Sequence, residues 1–195
     1  LQGNDNLDDL QSPWKQTAVF TLEVDTKEIT KISPKSGVYN SPKPWSDGKI
    51  AFLGHPSKDY SYVAFDVYLS DGKQTKKLTK DLSATPRELF WLNEKELVFS
   101  IDERGASKVQ SINISSGKLS EKIANFKEQF YLSSVHNDVL FGTYANAKRP
   151  AELAVIQNNK VEKLSSFNEV ALGQYELGNT IEINYKAPDG MDVQG

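Results

Sequence analysis

Four stretches of the 195-residue chain repeat one pattern: an alternating apolar strand, a polar turn, and a short strand ending in Lys plus an aliphatic residue. The first holds Phe20, Leu22 and Val24, a turn at Asp25-Thr26-Lys27, and Lys31-Ile32. The second holds Phe65, Val67 and Leu69, then Ser70-Asp71-Gly72-Lys73 and Lys77-Leu78. The third has Ile112 and Ile114, Ser115-Ser116-Gly117-Lys118, and Lys122-Ile123. The fourth has Leu153 to Ile156, Gln157-Asn158-Asn159-Lys160, and Lys163-Leu164. Ile32, Leu78, Ile123 and Leu164 stand roughly 41 to 46 residues apart, the period of β-propeller blades, each a four-stranded sheet. Asp-Gly, Ser-Gly and Asn-Asn at the turns tolerate the positive φ that tight hairpins require.

A second recurring feature lies between these units. Trp45-Ser46-Asp47-Gly48-Lys49 leads into Ile50-Ala51-Phe52, Trp91-Leu92-Asn93-Glu94-Lys95 into Leu97-Val98-Phe99, and Val135-His136-Asn137-Asp138 into Val139-Leu140-Phe141. Each reads as an inner strand, a polar turn and a buried second strand, which completes four strands per blade. No stretch keeps a 3.6-residue apolar period for three turns. Lys118 to Glu128 is the best helical candidate, but it overlaps the third unit's outer strand, so the expected class is all-β. Lys31, Lys77, Lys122 and Lys163 fall on the outermost strand of each unit, where charge discourages pairing with other chains.

Three blades are expected, at roughly residues 40–80, 86–124 and 131–166. Gln16 to Ser33 adds only the last two strands of an earlier blade, because residues 1–15 look too polar to supply its inner strands. About three and a half blades is either a small, unusual propeller or part of a larger one. The tail favours the second. After a connecting stretch from Ser165 to Leu177, Ile181 to Lys186 alternates as a strand, Ala187-Pro188-Asp189-Gly190-Met191 turns, and Asp192 begins another strand. This hairpin belongs to no blade and reads as the opening of a further domain. Residues 1–15 are thus taken as a polar N-terminal segment, 16–166 as blades, and 167–195 as a linker and the start of that domain. A start at Leu1 without Met suggests a trimmed chain.

The residues resemble a known family. Trp45-Ser46-Asp47-Gly48-Lys49-Ile50-Ala51-Phe52 is similar to the repeat of TolB-like and peptidase propellers. Ile50 to His55 is similar to a segment of the acylaminoacyl-peptidase branch of the prolyl oligopeptidase family. Glu182 to Gly195, with Tyr185, Asp189-Gly190 and Gln194-Gly195, resembles the stretch that leads in that family from propeller into α/β-hydrolase domain. The resemblance implies a non-catalytic propeller portion that gates short peptides toward a hydrolase domain carrying a Ser-Asp-His triad beyond Gly195. It implies no cofactor and that hydrolase domain as the chain's partner, while the absence of cysteine fits a cytoplasmic setting. The alternative is a stand-alone, TolB-like interaction propeller. An incomplete ring leaves sheet faces and edges uncovered, so a homo-oligomer is a further expectation.

The residues themselves assign no catalytic, cofactor-binding or metal site. Gly-x-Ser-x-Gly occurs nowhere. His55 and His136 stand on different repeats without metal-ligand spacing and read as surface or turn histidines. Asp5, Asp8 and Asp9 lack the spacing of a calcium loop. Arg104, in the loop Asp102 to Gly105, has the donor fork to hold a carboxylate or acyl carbonyl, though a solvated turn is the plainer reading. Trp45 and Trp91 occupy matching repeat positions, which, with Trp14 set aside, argues for packing rather than a binding platform. The net charge of −3 gives no basic face for nucleic acid, and no run approaches the ~20 apolar residues of a membrane span. Without cysteine there is no disulfide framework and no thiolate metal site.

Overall fold

Alternating strands joined by tight polar turns fold into antiparallel meanders. The computed structural model describes residues 1–4, 16–57, 63–80, 82, 84–120, 124–125 and 129–195. Strands β1 (Gln2–Asn4), β2 (Thr17–Leu22) and β3 (Ile29–Lys31) form a first, three-stranded unit, which a parallel bridge from Thr17 to Val38 joins to the next blade as one seven-stranded sheet. The second blade is β4 (Val38–Pro44), β5 (Ile50–His55), β6 (Asp66–Ser70) and β7 (Thr75–Lys77). The third is β8 (Arg87–Asn93), β9 (Glu96–Glu103), β10 (Ala106–Asn113) and β11 (Ala124–Asn125). The fourth is β12 (Gln129–His136), β13 (Val139–Asn146), β14 (Arg149–Gln157) and β15 (Lys160–Lys163). A one-turn helix, α1 (Glu169–Leu172), and the hairpin β16 (Asn184–Lys186) with β17 (Asp192–Gln194) complete the tail. The expected all-β class and four-stranded blades are what the chain forms.

Two local expectations change. Residues 2–4 are not loop: β1 pairs with β2 from Gln2↔Val19 to Asn4↔Thr17, and the Leu1 amine donates to Phe20 O at 2.8 Å. Backbone pairing asks nothing of side-chain polarity, so a polar segment can serve as an edge strand. The rest of that segment, with Asp5, Asp8, Asp9 and Trp14, lies outside the described residues. The helical candidate at 118–128 is strand-like where it is described, with Leu119 bridged to Ile112 and β11 paired to Lys108 and Val109. Lys122-Ile123 falls outside the described residues.

The hairpin turns follow their residues. Arg104-Gly105, Asn137-Asp138 and Asn158-Asn159 all have positive φ at both central positions. Asp71 Oδ1 accepts from the amides of Lys73 and Gln74 at 2.9 and 2.8 Å. Asn113 Oδ1 accepts from those of Ser115 and Ser116 at 3.1 and 3.0 Å, the same device one blade later.

The second and third blades bury apolar residues on both faces. Tyr39, Phe52 and Tyr68 of the second blade pack on Val19 and Ile32 of the first. On its other face, Ala51, Leu53, Val67 and Leu69 meet Leu89, Leu97, Phe99, Ile101 and Ile112 of the third. The third blade turns Val98 and Val109 the opposite way, onto Phe130, Leu132, Leu140 and Ile156 of the fourth. Burial of each large side chain in these layers contributes about 1.5–3 kcal/mol. Hydrogen bonds also cross between blades, from Thr75 Oγ1 to Ile32 O at 2.6 Å and from Lys76 Nζ to Ile114 O at 2.7 Å.

Two glycines fit the inner strands to the second ones. A Cβ on Gly54 of β5 would press on the Tyr39 ring and on Val38 O, and one on Gly142 of β13 on Tyr131 O and the Phe130 ring. Both positions leave space for an aromatic ring from the strand next to them. Gly54→Ala is expected to lower unfolding free energy by about 1–3 kcal/mol, read by urea denaturation. A loss smaller than about 0.5 kcal/mol would show that the rings shift freely.

Candidate functional site at the end that carries the tail

Strand direction sorts the connections into two ends. The β4–β5, β8–β9 and β12–β13 turns share one end with the β6–β7 and β14–β15 turns. The β9–β10 and β13–β14 turns lie at the other, where the chain also passes between blades and leaves β15 for the tail. Charge is organised at this second end.

β8 enters there with Arg87 and Glu88. Arg87 Nη2 donates to Asp102 Oδ1 at 2.8 Å, and its guanidinium lies 5.3 Å from the centroid of the Tyr131 ring on the next blade. Its Nε is buried without a hydrogen-bond acceptor, 3.8 Å from Glu88 Oε1. Glu88 sits at a bulge with φ 46° and accepts from the buried Ser100 hydroxyl. The result is an arginine held from three sides with one donor unused. Holding a carboxylate or an acyl carbonyl takes a free donor fork, whereas here Asp102 and Glu88 flank the guanidinium and the unused Nε is buried. Arg104, the residue singled out in sequence for that chemistry, stands in an exposed two-residue turn with φ 53°. The charged pair Arg87-Glu88 directly before Leu89, at the start of a strand, was the overlooked signal.

Glu152 fastens the tail. It lies inside β14 with 5% of its surface exposed, and its carboxylate accepts from Ser165 Oγ, from the Phe167 amide at 3.1 Å, and from the Asn168 amide and Nδ2 at 2.9 and 3.0 Å. Those bonds, the Ser165 hydroxyl first among them, hold the carboxyl pKa down to about 2. Ser165 Oγ also accepts from the Leu153 amide at 2.9 Å. The segment leaving β15 thus folds back onto β14. A carboxylate set in the apolar run Leu153-Ala154-Val155-Ile156 marks this position in the sequence.

A cavity of about 440 Å3 opens beside this anchor, lined by Lys148, Arg149, Glu152 and Glu169 among others. A second, of about 630 Å3, lies between the two blade turns at Gly105 and Lys148 and the tail at Asn179, where Lys148 Nζ donates to Asn179 Oδ1 at 2.5 Å.

The remaining sequence candidates are dispersed. His55 is not a surface residue: it ends β5 at 4% exposure, with its ring 5.0 Å from that of Phe65. Burial holds its pKa below the usual histidine value, outweighing the Asp66 charge. His136 is exposed at the end of β12. Lys31, Lys77 and Lys163 sit on β3, β7 and β15; Lys77 pairs with Asp66 at 2.8 Å, and Lys163 lies 5.2 Å from the Tyr144 ring centroid. Trp45 and Trp91 stack with centroids 5.1 Å apart, against the layer between the second and third blades. Among the described residues no group of three or more His, Asp or Glu is placed to hold a metal ion. No helix among them is long and apolar enough to cross a membrane.

No family model matches the sequence, and no curated protein does. Solved structures do match. The structure is similar to Pyrococcus horikoshii acylaminoacyl peptidase with a TM-score of 0.71 and 17% identity, over 93% of this chain and 27% of that one. The β-propeller domain of the trilobed protease from Pyrococcus furiosus follows at 0.60 and 17%, over 80% of this chain and 46% of that one. The fold shared with these structures is that of β-propeller blades. TolB from Acinetobacter baumannii shares it at 0.56 and 17%, over 90% of this chain and 41% of its own. The chain spans less than half the length of each.

Glu152→Gln removes the charge that gathers four donors. It is expected to lower the melting midpoint by several degrees and to speed limited proteolysis between Ser165 and Tyr175; unchanged cleavage there would contradict the anchoring role. The folded chain protonates His55 at a lower pH than the unfolded chain, which takes up its proton near pH 6.5. Its contribution is therefore complete above about pH 6.5 and is lost as pH falls toward the depressed folded value. Melting midpoints measured from about pH 7.5 to 5 should fall less steeply in His55→Phe than in the parent chain, and equal slopes would remove His55 as a cause.

Proposed function

We propose that this chain is the non-catalytic propeller portion of an acylaminoacyl-peptidase-like serine peptidase, gating short peptides toward a hydrolase domain. The observation that carries the reading is the likeness to the Pyrococcus horikoshii enzyme, which extends over 93% of this chain. The charged end supports it: Arg87, Lys148 and the anchored segment from Ser165 onward stand where a domain following the tail would face the blades. The fourth blade supports a larger ring. Phe141 and Leu153, on the face opposite its buried layer, remain 36% and 50% exposed. A sheet with two apolar faces calls for a neighbour on each. In this reading the hydrolase domain, short peptide substrates and a cytoplasmic setting belong to the whole protein.

The TolB likeness favours a second reading, a protein-interaction propeller with no associated chemistry. Peptide hydrolysis separates the two. The purified chain should not turn over N-acetyl-aminoacyl chromogenic substrates. The longer protein that contains it should cleave short acyl-peptides and spare long ones. Turnover by the chain alone, or equal rates on short and long peptides, would overturn the gating role; a longer protein without peptidase activity would favour the scaffold.

A further inference from the structure

The end of the blades away from the tail carries a second, chemically different site. Three inner strands finish there, and their turns surround an open cleft of about 530 Å3. One wall is aromatic. Trp45 lies on Trp91 at 5.1 Å between centroids and 35° between planes, and Trp91 is fixed by its Nε1 donating to Lys43 O at 2.8 Å. Trp91 is nearly buried, so the accessible indole surface belongs to Trp45, which is partly exposed. Val135 adds an apolar patch, and the exposed turn after His136 carries Asp138 on the far side. Glu94 completes the rim from the β8–β9 turn.

The charges of this lining have one sign. Glu94 and Asp138 are carboxylates, and among the described residues neither Lys nor Arg lines the cleft. Lys95 Nζ lies 3.2 Å from Glu94 Oε1 on the exposed rim, where such a pair contributes little and exchanges readily. Asp138 has no ion-pair partner within 4.0 Å among the described residues. An indole face is itself the negative pole of the ring quadrupole, so wall and rim attract the same kind of group. A guanidinium fits both. It stacks flat on an aromatic plane and offers a planar fork of donors to a carboxylate, which an ammonium does not. We infer that this cleft binds an arginine side chain of a basic peptide, with the guanidinium over Trp45 and between Glu94 and Asp138. The inference is independent of the peptidase reading, since it rests on the opposite end of the blades.

The test uses the complete chain labelled with 15N at pH 8 and low salt, observing the indole N–H signals. N-acetyl-Ala-Arg-Ala-amide is the probe, because its only charge is the guanidinium. Its citrulline analogue and a neutral trisaccharide are the controls. The Trp45 signal, assigned through Trp45→Phe, should shift saturably with a dissociation constant of about 1–10 mM. The citrulline peptide should bind at least about fivefold more weakly, as should the arginine peptide to Glu94→Gln/Asp138→Asn, whose exposed substitutions leave the core intact. No saturable shift up to about 50 mM would overturn the proposal. So would equal binding of the citrulline peptide, tighter binding of the trisaccharide, or an unchanged constant in the double variant.

Discussion

A β-sheet with apolar side chains on both faces cannot rest with only one neighbour, and that constraint organises this molecule. In β9 the consecutive residues Leu97, Val98 and Phe99 are all buried, yet they belong to two different layers: Leu97 and Phe99 face the second blade and Val98 faces the fourth. The same parity runs through β5, where Ala51 and Leu53 point one way and Phe52 the other. Radial stacking gives the second and third blades a neighbour on each face. The fourth blade has a buried layer through Leu140, Ala154 and Ile156 and an uncovered one through Phe141 and Leu153.

Stacking also separates the two ends. Because strands alternate in direction within each blade, turns of one kind gather at one end and turns of the other kind at the opposite end. The end with the tail collects Arg87, Asp102, Lys148 and the Glu152 anchor, a set of fixed charges and backbone donors. The other collects the indoles of Trp45 and Trp91 with acidic turns around them. One scaffold thus presents two surfaces of different chemistry without any change in its core.

The fold was legible because its signals are periodic. The Asn-Asn and Ser-Gly turns and the Pro-Asp-Gly hairpin form where the sequence suggested, and Lys31, Lys77 and Lys163 end outer strands, while Lys122-Ile123 lies outside the described residues. What stayed hidden lacked a periodic or compositional mark. β1 is a polar edge strand held by backbone pairing to β2, with Gln2 Oε1 accepting from the Ser41 amide. His55 follows an apolar run and precedes Pro56, which leaves its burial undecided until Phe65 is seen to pack on it. Glu152 meets Ser165 and Asn168 only through folding, and Arg87 meets Asp102 and Tyr131 in the same way. Gly54 and Gly142 carry their meaning in the aromatic rings of neighbouring strands. Long-range geometry, rather than residue type, makes these groups significant.

Opposite faces of one strand offer the most direct test of this account. Methyl relaxation by a soluble paramagnetic agent, measured on the monomeric chain, should broaden Leu153 strongly and leave Leu140 and Ile156 nearly untouched. If Ile156 and Leu140 were as accessible as Leu153, no neighbouring blade would be packed on that face, and the radial stack would be wrong.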